Sequence, residues 1–233
     1  MLMDKKTSGY HRDEFDRIAW LYDPAVSLIG AVLGGEKRLR RKIFRLADIK
    51  NGDRVLDVGC GTGTSALIIA GDAGDKGEVV GIDLSDKMLD IAGKKLKRSG
   101  FRNVTFLKAD VEDIPYPDSY FDKVTAFAVL HEMTHDGRIN ALREIHRLLR
   151  PDGKALIADY DLPEKIGGML LMRFLLAMFE GETARDMILR GIDSEIKEEG
   201  INLRIVRKER ILCGAGQVLL LKKENKLRGS LLS

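Results

Sequence analysis

A glycine loop and a carboxylate stand side by side in RVLDVGCGTGTSALIIAGDAG, residues 54–74. Gly59, Gly61 and Gly63 alternate along the loop, and Asp57 precedes them inside an apolar run. Glycines let the backbone come close to a ligand, and the helix that follows offers free N–H groups to an anion. A carboxylate beside a pyrophosphate would be repelled in a poorly screened site. The same carboxylate is favourable beside an ammonium group.

The ligand that meets both requirements carries charges of both signs. The dinucleotide pattern G-x-G-x-x-G is absent, because the third glycine comes one residue early and Thr64 stands at the expected position. S-adenosylmethionine has an ammonium and a sulfonium group that Asp57 would favour, and one carboxylate that the helix N-terminus would favour. The loop therefore predicts S-adenosylmethionine, and an NAD-dependent oxidoreductase is the less favoured alternative.

Further acids follow the next two predicted strands. Asp83 ends the second strand, where an acid can accept hydrogen bonds from both ribose hydroxyls of a nucleoside. Asp110 ends the third strand and is placed to accept from an adenine amino group, with the backbone of Val111 pairing with the ring. Met88 is placed to pack on the adenine face. Acids at successive strand ends are hard to obtain from solubility alone, so they support a nucleoside site.

One histidine follows the fourth predicted strand, in AVLHEM. His131 is the candidate general base, and its neighbour Glu132 is the less favoured one. The structural alternative for His131 is a loop histidine with ordinary hydrogen bonds. Cys60, inside the glycine loop, is interpreted as a small residue tolerated between glycines rather than as a redox or catalytic group.

Short β-branched runs alternate with amphipathic runs between residue 54 and about residue 160. The predicted strands are 54–59, 77–83, 103–110, 121–130 and 154–160, followed by a late pair at 203–212 and 216–223. Predicted helices lie between them, one capped by Ser85 and one stopped by Pro151 and Gly153. This alternation predicts an α/β, doubly wound, mainly parallel sheet with right-handed crossovers. The late pair predicts a hairpin with an antiparallel strand.

Two flanks depart from this rhythm. Residues 11–47 look helical and lead into the first strand, and residues 163–200 hold two predicted helical segments. Neither an internal repeat nor a linker interrupts the chain of 233 residues. The sequence predicts a single domain over 1–233, with an N-terminal helical cap at 1–50 and a helical acceptor-side insertion at 163–200.

Composition limits the partners and the compartment. A formal net charge of +3, from 39 basic and 36 acidic residues, does not require a nucleic-acid partner. The two cysteines, Cys60 and Cys213, have no metal-ligand spacing, so no disulfide framework and no metal site are predicted. The polar N-terminus and the absence of a long apolar run predict a cytoplasmic protein.

The segment MLLMRFLLAMF, residues 169–179, is apolar apart from Arg173. Methionines adapt to irregular apolar shapes, so the segment is a candidate lid over an apolar acceptor. A helix that caps the sheet, a homodimer face and a transient membrane-surface contact stay open as alternatives. The basic run 204–210 alternates with apolar residues and is interpreted as a solvated strand face rather than a nucleic-acid site.

The motifs together resemble a known family. VLDVGCGTG, GIDLS, LKADVEDIPYPDSYFDKV and LLRPDGKALIADY resemble the successive motifs of class I S-adenosylmethionine-dependent methyltransferases. With FDRIAWLYDP near the N-terminus, the chain resembles the ubiquinone/menaquinone-biosynthesis methyltransferase group over roughly residues 13–160. Residues 163–200 are too generic to match to one acceptor.

The resemblance implies a seven-stranded Rossmann-like sheet whose last strand is antiparallel. It also implies that Tyr22 covers the cofactor near its reacting end. The predicted cofactor-binding residues are Tyr22, Asp57, Gly59, Cys60, Gly61, Gly63, Asp83, Leu84, Met88, Asp110 and Val111. The predicted function is methyl transfer from S-adenosyl-L-methionine to a small, apolar or lipid-like acceptor. The alternatives are an RNA or protein methyltransferase and a non-catalytic binder of the cofactor.

Overall fold

The computed structural model describes residues 35–164, 166–178 and 182–224. Its strands are β1 (Arg54–Val58), β2 (Glu78–Asp83), β3 (Val104–Lys108), β4 (Phe121–Phe127), β5 (Leu149–Tyr160), β6 (Leu203–Ile211) and β7 (Gly216–Lys223). Its helices are α1 (Glu36–Phe44), α2 (Thr64–Ala73), α3 (Asp86–Ser99), α4 (His135–Leu148), α5 (Ile166–Met178), α6 (Glu182–Arg190) and α7 (Ile192–Glu198).

All seven strands form one sheet in the order β3-β2-β1-β4-β5-β7-β6. The neighbours from β3 to β5 pair in parallel, and β7 runs antiparallel to both β5 and β6. Strand order reverses next to β1, which places the loop after β1 at the switch point where such sheets bind ligands. The predicted doubly wound, seven-stranded sheet with its antiparallel last strand is confirmed.

Alternate residues of β1 face two separate helical layers. Val55 belongs to an apolar cluster with Ile69 of α2 and Phe44 of α1. Leu56 belongs to a second cluster with Leu142 and other side chains of α4. A strand buried on both faces reads as a continuous apolar run, so the carboxylate within β1 stands out against its surroundings.

Helix α3 begins at the predicted cap. The Ser85 hydroxyl accepts a hydrogen bond from the Met88 amide at 3.2 Å, and Ser85 has the extended backbone that an N-cap requires. This cap fixes where the helix starts relative to Asp83, two residues before it.

We expect Ser85→Ala to lower the free energy of unfolding by about 1 kcal/mol, because the Met88 amide would lose its acceptor. Chemical denaturation measures the change. Ser194→Ala on the exposed side of α7 is the matched control and should stay within about 0.5 kcal/mol of the parent. Equal losses in the two variants would contradict the capping role.

Three boundaries differ from the sequence prediction. β4 ends at Phe127 rather than near residue 130, because Ala128 adopts a φ of 53° and residues 130–132 form a 3-10 turn. β5 begins at Leu149, before Pro151, because residues 150–153 bulge out between two stretches paired with β4. The described residues within 163–200 form three helices rather than two, since Gly191, with a φ of 78°, separates α6 from α7.

A buried arginine ties the three-helix segment to the sheet layer. Arg138 of α4 is fully buried and donates to Glu195 of α7 at 2.6 Å and to Asp186 of α6 at 2.6 Å. Arg138 Nη1 donates to the Met133 carbonyl at 2.8 Å. These contacts hold α6 and α7 beside the turn that follows β4.

Within the described ranges, no helix combines the length and the apolar character needed to cross a bilayer. The most apolar one, α5, has 13 residues.

Candidate functional site

The glycine loop follows β1 in a conformation that only glycine adopts easily. Gly59, Gly61 and Gly63 have φ values of 61°, 52° and 78°. A Cβ on Gly59 would lie 2.2 Å from Val129 Cγ2, and one on Gly63 would lie 2.6 Å from Phe106 Cζ. These two glycines let the loop pack against β3 and the end of β4.

Gly61 differs from its neighbours in what surrounds it. A Cβ built on Gly61 meets no atom of the described residues within 4 Å. Its amide donates to Asp83 Oδ2 at 2.8 Å, which ties the loop to the end of β2. The loop therefore leaves open space at its centre, beside a fixed carboxylate.

Asp57 lies within β1 and is only 1% exposed. Its Oδ1 accepts a hydrogen bond from the Thr125 hydroxyl at 2.8 Å. Its Oδ2 has no hydrogen-bond partner among the described residues. Burial raises the pKa of Asp57 to about 7, against the opposing effects of the Thr125 hydroxyl and the Arg40 charge. A buried carboxylate oxygen without a donor is costly, so this atom calls for a donor from a ligand.

Asp83 ends β2 and faces back toward the loop. Its Oδ1 accepts from the Ser85 amide at 2.9 Å, in addition to the bond from Gly61 to Oδ2. A carboxylate has about four acceptor positions and can accept from hydroxyl as well as amide donors. The amides also fix the orientation of the carboxylate before any ligand arrives.

Cys60 joins the glycine loop to β2. Its amide donates to the Ile82 carbonyl at 2.8 Å, and its side chain is buried. Burial raises the pKa of the Cys60 thiol well above its ordinary value, with smaller contributions from Asp57 and Asp83. A thiol in this environment stays protonated and is a poor nucleophile.

The other predicted residues lie near the same edge of the sheet. Asp110 follows β3, and its Oδ1 accepts from the Glu112 amide at 3.0 Å. Val111 and Met88 are buried, and Leu84 is half-buried between β2 and α3. Because β3, β2 and β1 are neighbours, Asp110, Asp83 and Asp57 come from adjacent strands. Tyr22 lies outside the described residues.

His131 lies in the 3-10 turn after β4, between two carboxylates. Its Nδ1 is 2.7 Å from Asp159 Oδ1 and its Nε2 is 3.1 Å from Glu132 Oε1. The His131 ring is buried and also lies against Tyr160, with 4.7 Å between ring centroids. Both contacts are satisfied together when the imidazole carries two protons, because only then do both nitrogens donate.

Asp159 at the end of β5 organises this turn. Its Oδ2 accepts from the amides of Val129 and Leu130 at 3.2 and 2.9 Å, and its Oδ1 also accepts from the Tyr160 amide at 2.9 Å. Burial alone would raise the pKa of Asp159, but the His131 charge and these donors outweigh burial and hold the pKa below its ordinary value. The carboxylate therefore stays ionised.

The sequence prediction missed two residues of this site. Asp159 carries the same signal as Asp57, an acid inside an apolar strand, in ALIADY. Thr125, which donates to Asp57, carries no comparable signal, since threonine is ordinary in a β-strand.

The comparison with known sequences identifies one family. The family model for the methyltransferase domain matches residues 49–200. A demethylmenaquinone methyltransferase of Lactobacillus johnsonii is 38% identical over 152 residues, which are 65% of this chain and 61% of that protein. One of Bacillus cereus is 30% identical over 171 residues, 72% of this chain and 70% of that protein. The chain thus spans less than two thirds of the Lactobacillus relative.

The solved structures agree on the fold. A crystal structure described as a SAM-dependent methyltransferase from Aquifex aeolicus aligns with a TM-score of 0.65 at 23% identity. The alignment covers 83% of this chain and 96% of that one.

Proposed function

We propose that this chain, which belongs to the methyltransferase-domain family, transfers a methyl group to a small, apolar or lipid-like acceptor. The chain is a methyltransferase, and its cofactor is S-adenosyl-L-methionine. Bound at the loop after β1, the cofactor supplies an electrophilic methyl group on a sulfonium. The chain's own residues hold donor and acceptor in line, and such positioning can lower a barrier by roughly 7–11 kcal/mol.

One observation carries the placement of the cofactor. Asp57 Oδ2 is buried and lacks a hydrogen-bond donor among the described residues. The ammonium group of the cofactor is a donor of the matching charge, and a carboxylate in this position would be unfavourable beside a pyrophosphate. The open space at Gly61 gives a ligand room beside Asp83, to which the Gly61 amide is bonded.

The remaining predicted residues take the nucleoside end. The Asp83 carboxylate, oriented by the Gly61 and Ser85 amides, is proposed to accept from the ribose hydroxyls. Asp110 and the Val111 backbone are proposed to pair with adenine, and Met88 and Leu84 to line its site. Tyr22, outside the described residues, stays a prediction as the cover over the reacting end.

Residues 163–200 are proposed to form the acceptor side. The single domain over 1–233 and its N-terminal helical cap at 1–50 stay predictions. Leu162, Ile166, Met169 and Leu170 are large apolar side chains that are at least half exposed near the start of α5. Clustered exposure of this kind marks an interaction site. Gly168 packs against the Cys213 carbonyl beside the end of β5, the same edge of the sheet as the glycine loop.

The names of the relatives point to the same acceptor class. Two of them are named for demethylmenaquinone, a quinone, and we extend this acceptor class to the present chain. An apolar ring with a lipid tail fits the apolar start of α5 better than a polar metabolite would.

A base is needed only when the acceptor atom holds a proton. We assign this role to the hydrogen-bonded group of His131, Glu132 and Asp159. Glu132, whose side chain is 18% exposed, is the member open to an acceptor, and His131 connects it to the buried Asp159. Both ring nitrogens of His131 lie against carboxylates, so we propose that Glu132 is the first group to take the proton.

The test is transfer of a labelled methyl group from S-adenosylmethionine to a reduced demethylmenaquinone, with RNA, protein and polar metabolites offered in parallel. We expect label in the quinone fraction. Label only in RNA or protein would contradict the small-acceptor proposal. Binding of the cofactor without any transfer would identify a non-catalytic binder.

A double variant in α5 tests the proposed acceptor side. Met169→Glu combined with Leu170→Glu should raise the KM for the quinone at least about tenfold, since a lost apolar contact changes specificity by this order. The affinity for S-adenosylhomocysteine should not change. Val206→Glu, an exposed apolar position on the edge strand β6, is the matched control. An unchanged KM in the double variant would remove α5 from the acceptor site.

A further inference from the structure

A groove on the helical face of the molecule carries a concentration of positive charge. It lies between α1, α2 and α3, has a volume of about 740 Å³, and is separate from the open space at Gly61. We define the basic groove by the cations that line it: Lys37, Arg41, Arg45, Lys95 and Arg98. Among the described residues that line it, Asp72 is the one acidic side chain.

Most of these charges have no acid partner among the described residues. No carboxylate of residues 35–164, 166–178 or 182–224 forms an ion pair with Lys37, Arg41, Arg45 or Arg98. Exposed arginines elsewhere on the molecule do have acidic partners, such as Arg143 with Glu199 and Arg204 with Glu224. The basic groove therefore differs from the ordinary solvated surface of this molecule.

Helix stability explains only part of the basic row Lys37, Arg41 and Arg45, whose members follow one another at intervals of four residues. The helix dipole favours Arg41 in the last turn of α1 and Arg45 just after it. The same dipole disfavours Lys37 in the first turn, and like charges at a spacing of four residues destabilise a helix. All three side chains of the row are exposed, whereas Ile43 and Phe44 nearby are buried. An exposed row of like charges with this cost at Lys37 suggests a bound anion.

One cation of the groove is held in place. Lys95 Nζ donates to the hydroxyls of Thr62 and Thr64, both at 2.8 Å. The ammonium group is thus fixed at the end of the groove nearest the glycine loop. The exposed cations Lys37, Arg41 and Arg45 line the same groove.

The floor of the groove is apolar. Leu67 and Ile68 of α2 and Phe101 beyond α3 line it, all half-buried. Single-stranded nucleic acid is bound on several exposed aromatic rings, and of the described residues that line the groove only Phe101 is aromatic. Positive charge around an apolar floor suits a phosphate group attached to an apolar body.

We propose that the basic groove docks the phosphate headgroup of an anionic phospholipid. The proposal concerns a surface other than α5 and does not depend on which acceptor is methylated. The phosphate oxygens lie among the α1 cations and Arg98, and the glycerol end of the lipid covers the apolar floor. Attachment of this kind brings the chain to a negatively charged membrane surface and weakens with added salt.

Co-sedimentation of the full chain with vesicles tests the proposal. Vesicles of phosphatidylglycerol in phosphatidylcholine should bind the protein, and vesicles of phosphatidylcholine alone should not. Arg41→Glu combined with Arg45→Glu should weaken binding at least about thirtyfold, because each basic residue near such a surface contributes roughly a factor of five. The control pair Arg204→Glu and Arg207→Glu on β6 changes the net charge equally and should keep binding.

Thermal melting and S-adenosylhomocysteine binding show whether the variants are folded. Arg41→Gln with Arg45→Gln, which keeps good helix-forming residues, should also lose most of the binding. Equal loss in the groove and control pairs, or no binding to phosphatidylglycerol vesicles, would overturn the proposal. Binding of RNA or of inorganic pyrophosphate in place of vesicles, lost in the groove variants, would overturn it in favour of another anion.

Discussion

Asp57→Asn is expected to weaken the binding of S-adenosylhomocysteine by about 100-fold, since removing one partner of a buried charge pair costs roughly 2–5 kcal/mol. Asparagine fills the same volume and can still accept from the Thr125 hydroxyl. It offers no charge to the ammonium group of the ligand. Titration calorimetry, at a pH well above the pKa of about 7, measures the loss.

The control for this variant is Asp90→Asn, which removes the same charge from an exposed position of α3. It should leave the affinity within about twofold of the parent, because exposed charges are screened. A similar affinity in the Asp57 variant and its control would show that Asp57 does not contact the ligand.

The pH dependence of Asp57 has a defined sign. Burial raises the pKa of Asp57 from 3.8 to about 7. Between these two pH values the ligand-free native protein keeps a proton on Asp57, whereas the unfolded chain has released it. The stabilising contribution of Asp57 is therefore complete below 3.8 and is lost as the pH rises through about 7. Asp57→Asn should flatten this part of the curve of unfolding free energy against pH.

Ligand binding should lower the pKa of Asp57 that burial has raised. An ammonium group beside Asp57 favours its ionised form, so binding just below the pKa of about 7 should release a proton from Asp57. Calorimetry in buffers of different ionisation enthalpy measures the protons released. The parent should release more than Asp57→Asn. Equal release by both would exclude Asp57 as the source.

Asp159→Asn is expected to lower the free energy of unfolding by about 3 kcal/mol, because breaking a buried ion pair leaves the partner charge uncompensated. His131 would lose its charged partner, and the single amide oxygen could not replace the carboxylate that accepts from Leu130 and Tyr160. The melting temperature should fall by about 6–12 °C, as expected for a chain of this size. Denaturation by urea and by heat measures both.

Asp161→Asn is the matched control. Asp161 is buried to a similar degree two residues further on, and its Oδ2 lies 3.4 Å from Lys208 Nζ and 3.6 Å from Arg210 Nε, two partly exposed cations. Its replacement should cost clearly less, because ion pairs with solvent-exposed cations contribute little. Equal losses at both positions would mean that the loss of any buried carboxylate, and not of the contact with His131, sets the effect.

The contribution of Asp159 to the free energy of unfolding also depends on pH, in the direction opposite to that of Asp57. Its folded pKa is held below the ordinary value, so its stabilisation is present above the unfolded pKa and is lost as the pH falls through the folded one. In the methyl-transfer assay, kcat should fall in Asp159→Asn while the affinity for S-adenosylhomocysteine stays close to the parent. A KM effect alone would argue against a positioning role for Asp159.

The sequence by itself determined the alternation of strands and helices, the cap at Ser85 and the final hairpin. These features depend on local chemistry: β-branched runs, a hydroxyl that accepts from an amide three residues on, and a short turn. The placement of Asp57, Asp83 and Asp110 on adjacent strands was also accessible, because parallel pairing brings successive strand ends to one edge. Their roles toward the cofactor stay predictions.

Only the tertiary structure decided how the turn after β4 is built. The early end of β4 and the orientation of His131 depend on Asp159, which lies 28 residues further along the chain. The bulge at Pro151, the burial of Arg138 and the basic groove likewise depend on side chains that meet only after the sheet has formed. Periodicity and capping report contacts within a few residues, and they carry no information about which distant carboxylate a buried cation will meet.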